Sequence, residues 1–251
     1  MITRRHFLKL FAQTAAMTTI AGPIASLTKG FAANQQVPVL LYHRVGYGEG
    51  DLTVSPERFA ADLRALSAEG YKTISLNQFS RHLLGQELET ISRPVLITFD
   101  DGYRDNYEAV FPVLQRYGMT AAFFIITGLL DAPDRLTSSQ MMEMAYYDMS
   151  IGSHTITHRP LGDLSEQDAL QELTGSRQQL ENILGRAVDF VAYPRGSYTA
   201  DTLRLAKAAG YFGGFTTRYG TCSAESPHYT LRRIPVFRPD PDALTVIARR
   251  S

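Results

Sequence analysis

The sequence predicts an α/β fold: a single domain built as a distorted (β/α) barrel of seven or eight mostly parallel strands. From Val37 onward, short apolar runs alternate with longer segments of helical periodicity. Parallel strands need a crossover between them, which is usually a helix. Seven or eight such units in about 215 residues indicate a closed or nearly closed barrel. An open doubly wound sheet is the alternative, but no Gly-rich phosphate loop follows the first strand, which weakens its dinucleotide-binding form.

The composition fits one domain and gives no sign of a nucleic-acid partner. The chain has 251 residues, 44% of them hydrophobic and 20% charged, so it can bury one substantial core. Its formal net charge is zero, and nothing in the charge balance indicates a nucleic-acid partner. The single cysteine, Cys222, can form no intramolecular disulfide and lacks the partners of a cysteine metal cluster. We therefore interpret it as a structural thiol.

The first 33 residues are predicted to be a twin-arginine-type signal peptide. Arg4 and Arg5 precede a moderately apolar stretch rich in Ala and Thr, and small residues around Ala32 suit signal peptidase. Residues 34–251 then form the mature domain, exported to the periplasm or cell envelope. The alternatives are an uncleaved N-terminal anchor, which would be the only expected membrane contact, and a chance arginine pair before a helix.

The first half of the domain alternates strands and helices. Apolar runs predict strands over residues 37–43, 71–76, 93–99, 119–126 and 148–154, and helical periodicity predicts helices over 55–70, 76–84, 106–118 and 139–147. Ser55 is the N-cap of the first helix, with Pro56 at its first position. Pro94 fits only at the start of its strand, and Pro112 bends the third helix.

The second half continues the pattern. Ser165 caps the clearest helix, which ends at Gly185. The remaining predicted elements are strands over 188–194, 212–217 and 232–237, a helix over 199–210 and a short helix from residue 240.

Polar residues stand at the C-terminal ends of several predicted strands, the rim on which barrel enzymes assemble their sites. Each has an ordinary explanation when taken alone, since a histidine often hydrogen-bonds in a loop and Asp-Asp-Gly is a good turn sequence. Their coincidence at one rim predicts an active site. The residues are His43, Asp100, Asp101, His154, His158 and the stretch 193–196.

His154 and His158, at positions i and i+4, are predicted to lie on one side of a helical turn and to face one cation. Two histidines, one carboxylate and an open position form the ligand set of hydrolytic zinc sites, and also of non-haem iron oxygenases. A second carboxylate nearby can take a proton from an acidified metal-bound water. Asp100 and Asp101 would then divide these two tasks.

The stretches TFDDG, HTITH and YPRG resemble the first three motifs of the metal-dependent polysaccharide deacetylases, carbohydrate esterase family four. The resemblance covers residues 37–237. It implies the distorted barrel, a divalent metal with Zn²⁺ as the expected ion, and an acetylated polysaccharide as substrate, with acetyl on nitrogen or oxygen. It also implies a catalytic base, Asp100, and three metal ligands, Asp101, His154 and His158.

The sequence departs from this family's pattern at the later motifs. Ala192 stands where many members have an arginine that orients the base, and Arg218 is a candidate replacement. Arg195 stands at the position whose backbone N–H helps to hold the oxyanion. The Trp-bearing fourth motif is absent because the chain has no Trp, and the fifth motif, LxxILxH, is missing near the C-terminus.

The opening segment VPVLLYHRV reproduces the spacing of LxxILxH, as if the strands had been circularly permuted. In this respect the chain resembles the branch of exported enzymes that deacetylate poly-β-1,6-N-acetylglucosamine. The histidine of this segment, His43, is predicted to be the general acid, because a leaving amine must be protonated and only His43 of the remaining histidines ends a strand on the rim. A histidine that only hydrogen-bonds there, or that acts as an additional ligand, is the alternative.

The expected function is that of a metal-dependent polysaccharide deacetylase, a hydrolase acting on carbon–nitrogen bonds other than peptide bonds. A glycan-binding protein that kept the fold and lost turnover is the main alternative, suggested by Ala192 and the atypical later motifs. An oxygenase with the same ligand set is a distant third, since the second Asp beside the ligands argues against it.

Overall fold

A curved, entirely parallel sheet forms the centre of the fold in the computed structural model, which describes residues 35–88 and 90–251. The predicted signal peptide lies outside the described residues. The strands are β1 (Val39–Tyr42), β2 (Arg44–Val45), β3 (Thr53–Val54), β4 (Lys72–Thr73), β5 (Pro94–Phe99), β6 (Ala122–Ile125), β7 (Ser150–Ser153), β8 (Phe190–Ala192), β9 (Gly213–Phe215) and β10 (Ile234–Pro235).

Helices connect the strands and cover the sheet. They are α1 (Pro56–Ala68), α2 (Leu76–Leu83), α3 (Phe111–Tyr117), α4 (Ser138–Tyr146), α5 (Glu166–Leu184), α6 (Ala200–Ala208) and α7 (Ala243–Arg250). None of the helices in the described part of the chain combines the length and apolar character that crossing a bilayer requires.

The strand order is β10-β1-β5-β6-β7-β8-β9, with β4 added on β5, while β2 and β3 form a separate parallel pair. The two ends of this order approach each other. Leu231 forms a parallel bridge to Phe215 of β9, and three residues later Ile234 of β10 pairs with Leu40 of β1. The sheet is therefore nearly closed, and the predicted distorted (β/α) barrel is confirmed.

Alternation along β5 directs side chains to two different cores. Val95 and Ile97 pack in the outer cluster beneath the helices, whereas Leu96 packs in the inner cluster. Thr98 and Asp100 continue the inner series, so the polar group that ends β5 points into the barrel interior. The strand thereby places a carboxylate at the C-terminal end of the barrel.

Local signals fix most element boundaries. Ser55 and Ser165 cap α1 and α5 as predicted, and Gly185 ends α5 in the left-handed conformation, with a φ of 65°. The predicted strand over 71–76 shortens to Lys72–Thr73, because the Ser75 side chain accepts a hydrogen bond from the Gln78 N–H and begins α2 there.

The predicted helix over 106–118 bends as expected but is not a single α-helix. Its first part, Asn106–Val110, is a π-helical turn, and α3 begins only at Phe111. Pro112 has no N–H to donate to the preceding turn, so the helical hydrogen bonds are interrupted there and the α-helical pattern begins only at Phe111.

The cysteine behaves as a structural thiol. Cys222 is fully buried in the inner cluster, and burial raises the pKa of its thiol to about 11. The side chain therefore stays protonated at neutral pH.

Candidate active site

A cavity of about 450 Å³ opens at the C-terminal ends of the strands. Its lining brings together all six residues that the sequence suggested for catalysis or metal binding. They are His43, Asp100, Asp101, His154, His158 and Arg195.

Asp100 ends β5 inside the barrel and is paired with a buried arginine. Arg233 donates from Nη1 and Nη2 to the two carboxylate oxygens of Asp100 at 2.7 Å each, and from Nε to the Thr216 carbonyl at 3.0 Å. Burial raises the pKa of the Asp100 carboxyl, but the charges of Arg233 and the nearby His154 outweigh this effect and hold the pKa well below its usual range. Asp100 is therefore ionised at neutral pH.

The residue that orients Asp100 is Arg233, and the suggestion of Arg218 is wrong. Arg218 is exposed in the loop after β9, where its guanidinium lies over the Tyr198 ring at 5.3 Å. Arg233 faces the barrel interior because it lies two positions after Leu231, which packs in the inner cluster, in an extended segment. The position of Ala192 is thus compensated from another part of the barrel.

Asp101, His154 and His158 form a cluster that can hold a cation. Asp101 Oδ1 lies 3.5 Å from His154 Nε2 and 3.4 Å from His158 Nε2. Ligands about 2.1 Å from a tetrahedral zinc ion lie about 3.4 Å from one another. Asp101 Oδ1 is buried and has no hydrogen-bond partner in the described part of the chain. The three side chains therefore fit a divalent metal.

The His154 ring is held in one orientation by the backbone. Its Nδ1 donates to the carbonyl of Ala192 at 2.7 Å, which leaves Nε2 directed at Asp101. Such a hydrogen bond fixes the tautomer and raises the basicity of a histidine ligand. Ala192 thus contributes to the site through its main chain.

The two histidines do not lie on a helical turn, so that expectation is wrong. Thr155 and His158 adopt left-handed conformations with φ values of 66° and 62°, and the segment between β7 and the next helical turn is irregular. Non-glycine residues adopt such angles only where surrounding contacts impose them. The two rings nevertheless meet, with their centroids 4.8 Å apart.

Glu172 of α5 supplies contacts that hold this histidine loop, defined as residues 154–158. Its carboxylate accepts hydrogen bonds from the N–H groups of Ile156 at 2.8 Å and Thr157 at 2.9 Å, and from the Thr157 hydroxyl. Glu172 is 5% exposed, so these bonds satisfy a nearly buried charge. Sequence reasoning missed this residue because it lies within a regular amphipathic helix.

The loop after β5 is held in a similar way. Asp101 has a φ of 74°, and its carbonyl accepts a hydrogen bond from Arg135 at 2.8 Å. The Tyr103 ring contacts two guanidinium groups, that of Arg44 at 4.2 Å and that of Arg135 at 4.0 Å. Arg44 is in turn paired with Asp105 at 2.8 Å. These contacts fix the backbone that carries both acids.

His43 follows β1 and lines the same cavity as the two acids. Its carbonyl accepts a hydrogen bond from the Asn106 amide at 3.0 Å, which anchors the backbone. Its Nδ1 is buried without a hydrogen-bond partner among residues 35–88 and 90–251. Burial lowers the pKa of the imidazole, and the charges of Asp100 and Asp101 oppose that shift in part.

Arg195 lies in the tight turn Pro194–Gly196 after β8, and its φ of 56° is left-handed. The turn lies against the loop after β9, because a Cβ added to Gly196 would be 2.2 Å from the Thr217 hydroxyl. No acceptor for the Arg195 N–H is found within the described residues. Arg195 is also one of the residues that line the cavity.

Comparison with known proteins gives one consistent result. Residues 87–213 match the model of the polysaccharide deacetylase family. A Bacillus subtilis protein that carries the name polysaccharide deacetylase, YxkH, is 37% identical over 201 residues, covering 80% of this chain and 71% of that protein. A poly-β-1,6-N-acetyl-D-glucosamine N-deacetylase of Staphylococcus aureus is 25% identical over 196 residues, covering 72% of this chain and 67% of that enzyme.

Solved structures give the same picture. The Streptococcus pyogenes deacetylase PplD, in complex with acetate, superposes with a TM-score of 0.81 and 30% identity, covering 85% of this chain and 98% of that chain. IcaB from Ammonifex degensii superposes with a TM-score of 0.76 and 26% identity, covering 85% of this chain and 96% of that chain.

Proposed function

The chain belongs to the polysaccharide deacetylase family, and on that premise we propose that it is a metal-dependent hydrolase that removes acetyl groups from an N-acetylated or O-acetylated polysaccharide. The observation that carries this proposal is the cluster of Asp101, His154 and His158 directly beside the ionised Asp100. His154 Nε2 and Asp100 Oδ2 are only 3.8 Å apart, so a base stands next to the proposed ligands.

We assign the metal site to Asp101, His154 and His158, with Zn²⁺ as the proposed ion. These three residues would hold the divalent cation, which when bound would supply Lewis acidity toward water and the acetyl carbonyl. The hydrogen bond from His154 to the Ala192 carbonyl keeps the imidazole in the orientation for binding. The unpartnered Asp101 oxygen supports the same assignment.

Asp100 is the proposed general base. Arg233 holds both oxygens of the ionised carboxylate, so the group is oriented to accept a proton from the attacking water. A positioned base in a buried environment needs little rearrangement during the reaction. The arginine also weakens the case for a glycan-binding protein without turnover, since that alternative drew on the missing arginine at position 192.

Two further roles complete the proposed mechanism. The Arg195 N–H donates to the oxyanion that develops on the acetyl oxygen. His43 donates a proton to the leaving nitrogen, which is a poor leaving group until it is protonated.

For the biological setting, we propose an exported enzyme acting on a polymer of N-acetylglucosamine. The similarity to IcaB and to the poly-β-1,6-N-acetyl-D-glucosamine N-deacetylase supports this polymer as the first substrate to test. Arg4 and Arg5 support export by the twin-arginine route, which carries folded proteins.

Acetate release from a panel of acetylated oligosaccharides tests the function. The zinc-loaded protein should release acetate, lose activity to a chelator and regain it on adding Zn²⁺. Asp100→Asn should keep its metal and lose turnover by about 10² to 10⁴, whereas His158→Ala should lose the metal as well. Asp148→Asn, at an exposed acid near the start of β7, is the matched control. Binding of oligosaccharide without acetate release by the metal-loaded protein would favour the glycan-binding alternative.

A further inference from the structure

The cavity lining includes an apolar surface that the proposed mechanism does not use. It consists of Leu52 from the loop between β2 and β3, Tyr219 after β9, and Pro235 and Phe237 at β10. Tyr219 is 50% exposed and Leu52 is 42% exposed, although both line a cavity. Large apolar side chains left open at the edge of a site are typical of ligand-binding surfaces.

The Tyr219 ring is held in place from the C-terminal helix. The Arg250 guanidinium, at the end of α7, lies 5.4 Å from the Tyr219 ring and 5.5 Å from the Phe237 ring. Asp240 fixes that guanidinium with two hydrogen bonds of 2.8 Å. The Tyr219 carbonyl also accepts a hydrogen bond from Arg232 at 3.2 Å. The ring therefore contacts a guanidinium that is itself held in place, which favours one ring orientation and lowers the entropic cost of binding.

A sugar unit has the chemistry that such a ring can bind. A pyranose ring presents an apolar face of C–H groups that can cover an aromatic ring, and its hydroxyl groups can pair with the phenol. The chain contains no Trp, so stacking must come from Tyr or Phe. Tyr219 and Phe237 are the aromatic residues of the cavity lining, and Tyr219 is the more exposed of the two.

We propose that Tyr219 is the stacking surface for a sugar unit adjacent to the one that loses its acetyl group, and that Arg250 is the positioning residue for this ring. The proposal rests on the proposed function and extends it to substrate size. The enzyme should prefer chains over single sugars, because only a chain can occupy the catalytic centre and the Tyr219 surface together.

Chain-length preference is the measurement. We compare kcat/KM of the zinc-loaded protein on N-acetylglucosamine and on its β-1,6-linked pentamer. In Tyr219→Ala the ratio of pentamer to monomer should fall about five- to tenfold, through KM rather than kcat, because the apolar contact with one ring face is lost. Tyr219→Phe should keep most of the parental ratio of pentamer to monomer. Tyr146→Ala, at a tyrosine of α4 that is 81% exposed and lies outside the cavity lining, is the control and should keep the parental ratio.

Arg250→Ala should lower the same ratio by a smaller factor, and it should add little to Tyr219→Ala, because the arginine acts through that ring. Thermal unfolding of each variant separates this effect from loss of fold. An unchanged ratio in Tyr219→Ala, with an active parent, would overturn the subsite and leave the deacetylase function intact. If the parent is inactive on both sugars, the proposed function fails, and pentamer binding measured calorimetrically for parent and Tyr219→Ala still tests the subsite.

Discussion

Arg233 and Asp100 are joined by two parallel hydrogen bonds of 2.7 Å inside the barrel, and Arg233 is completely buried. The guanidinium comes from the segment before β10 and the carboxylate from the end of β5. This pair orients the proposed base, Asp100, from a part of the chain other than position 192.

The geometry of this pair should matter more than its charge. Arg233→Lys keeps the positive charge but loses the two-point contact, so kcat should fall about tenfold to hundredfold. Arg233→Met leaves a buried carboxylate unpaired and should lower the free energy of unfolding by about 3–5 kcal/mol. Acetate release and urea unfolding are the measurements. The exposed Arg218→Lys is the matched control, and a Lys variant at position 233 with the parental kcat would contradict the assignment.

His43 should matter most when the leaving group is poor. His43→Ala should retain the metal and lose far more activity on an acetylated amine than on an activated acetate ester, whose leaving group needs no proton. Parallel assays on the two substrates, with the metal content measured, decide this. Equal losses on both substrates would mean that another group protonates the amine, and a loss of metal would indicate that His43 is a ligand.

Glu172 should control metal affinity from a distance. In Glu172→Ala no side-chain oxygen remains to accept the N–H groups of Ile156 and Thr157, so the histidine loop should loosen. Metal affinity should fall about 10- to 100-fold, the usual effect of losing a group that orients ligands. Competition with a chromogenic chelator measures the affinity. Glu166→Ala, at an exposed acid of the same helix, should bind the metal like the parent, and unchanged metal affinity in Glu172→Ala would refute the role.

His82 should make the fold sensitive to mild acid. This histidine is fully buried in α2, and burial lowers its pKa, with the Gln35 backbone opposing the shift in part. Below a pH of about 6.5 His82 is protonated in the unfolded chain but stays neutral in the folded chain. The free energy of unfolding therefore falls as the pH decreases, by up to about 1.4 kcal/mol per pH unit. His82→Leu should flatten the dependence of urea unfolding on pH between pH 7 and pH 5. A slope equal to that of the parent would exclude His82 as its source.

The two arginines near the N-terminus should be required for export. Replacing Arg4 and Arg5 by Lys should leave the precursor in the cytoplasm, because the twin-arginine route reads the guanidinium pair whereas the general secretion route needs only positive charge. Fractionation of cells followed by immunoblotting measures the distribution. Undiminished export of the double-Lys variant would refute the twin-arginine signal.

The fold was predictable because its signals are local and repeated. Helix caps such as Ser55 and Ser165, together with the alternation of apolar runs, marked the strand–helix units. The number of these units predicted the barrel. Parallel strands end at the same rim of a barrel, so polar residues at the ends of predicted strands were expected to lie close together. His43 and Asp100 do line one cavity.

The predictions that failed concern features that depend on contacts between distant segments of the chain. The left-handed angles of Thr155 and His158 are imposed by surrounding loops and helices. The hydrophobic periodicity of the sequence cannot predict such angles, so a helical turn was predicted instead. Arg233 was missed because an arginine in an apolar segment becomes plausible only when its buried partner is known. The partner, Asp100, lies more than a hundred positions away in the sequence.

The pairing of β1 with β10 has a consequence for biosynthesis. On the ribosome, β1 emerges first and β10 after every other described strand, yet Leu40 needs Ile234 as its neighbour on one side. The nascent chain therefore carries an open sheet edge at β1, and Asp100 lacks its counter-ion, until the final strand appears. The barrel can close only after β10 has been synthesised, and loop closure over nearly the whole domain makes this step slow. A product truncated before Arg233 would be a substrate for chaperones and proteases, with Asp100 left unpaired.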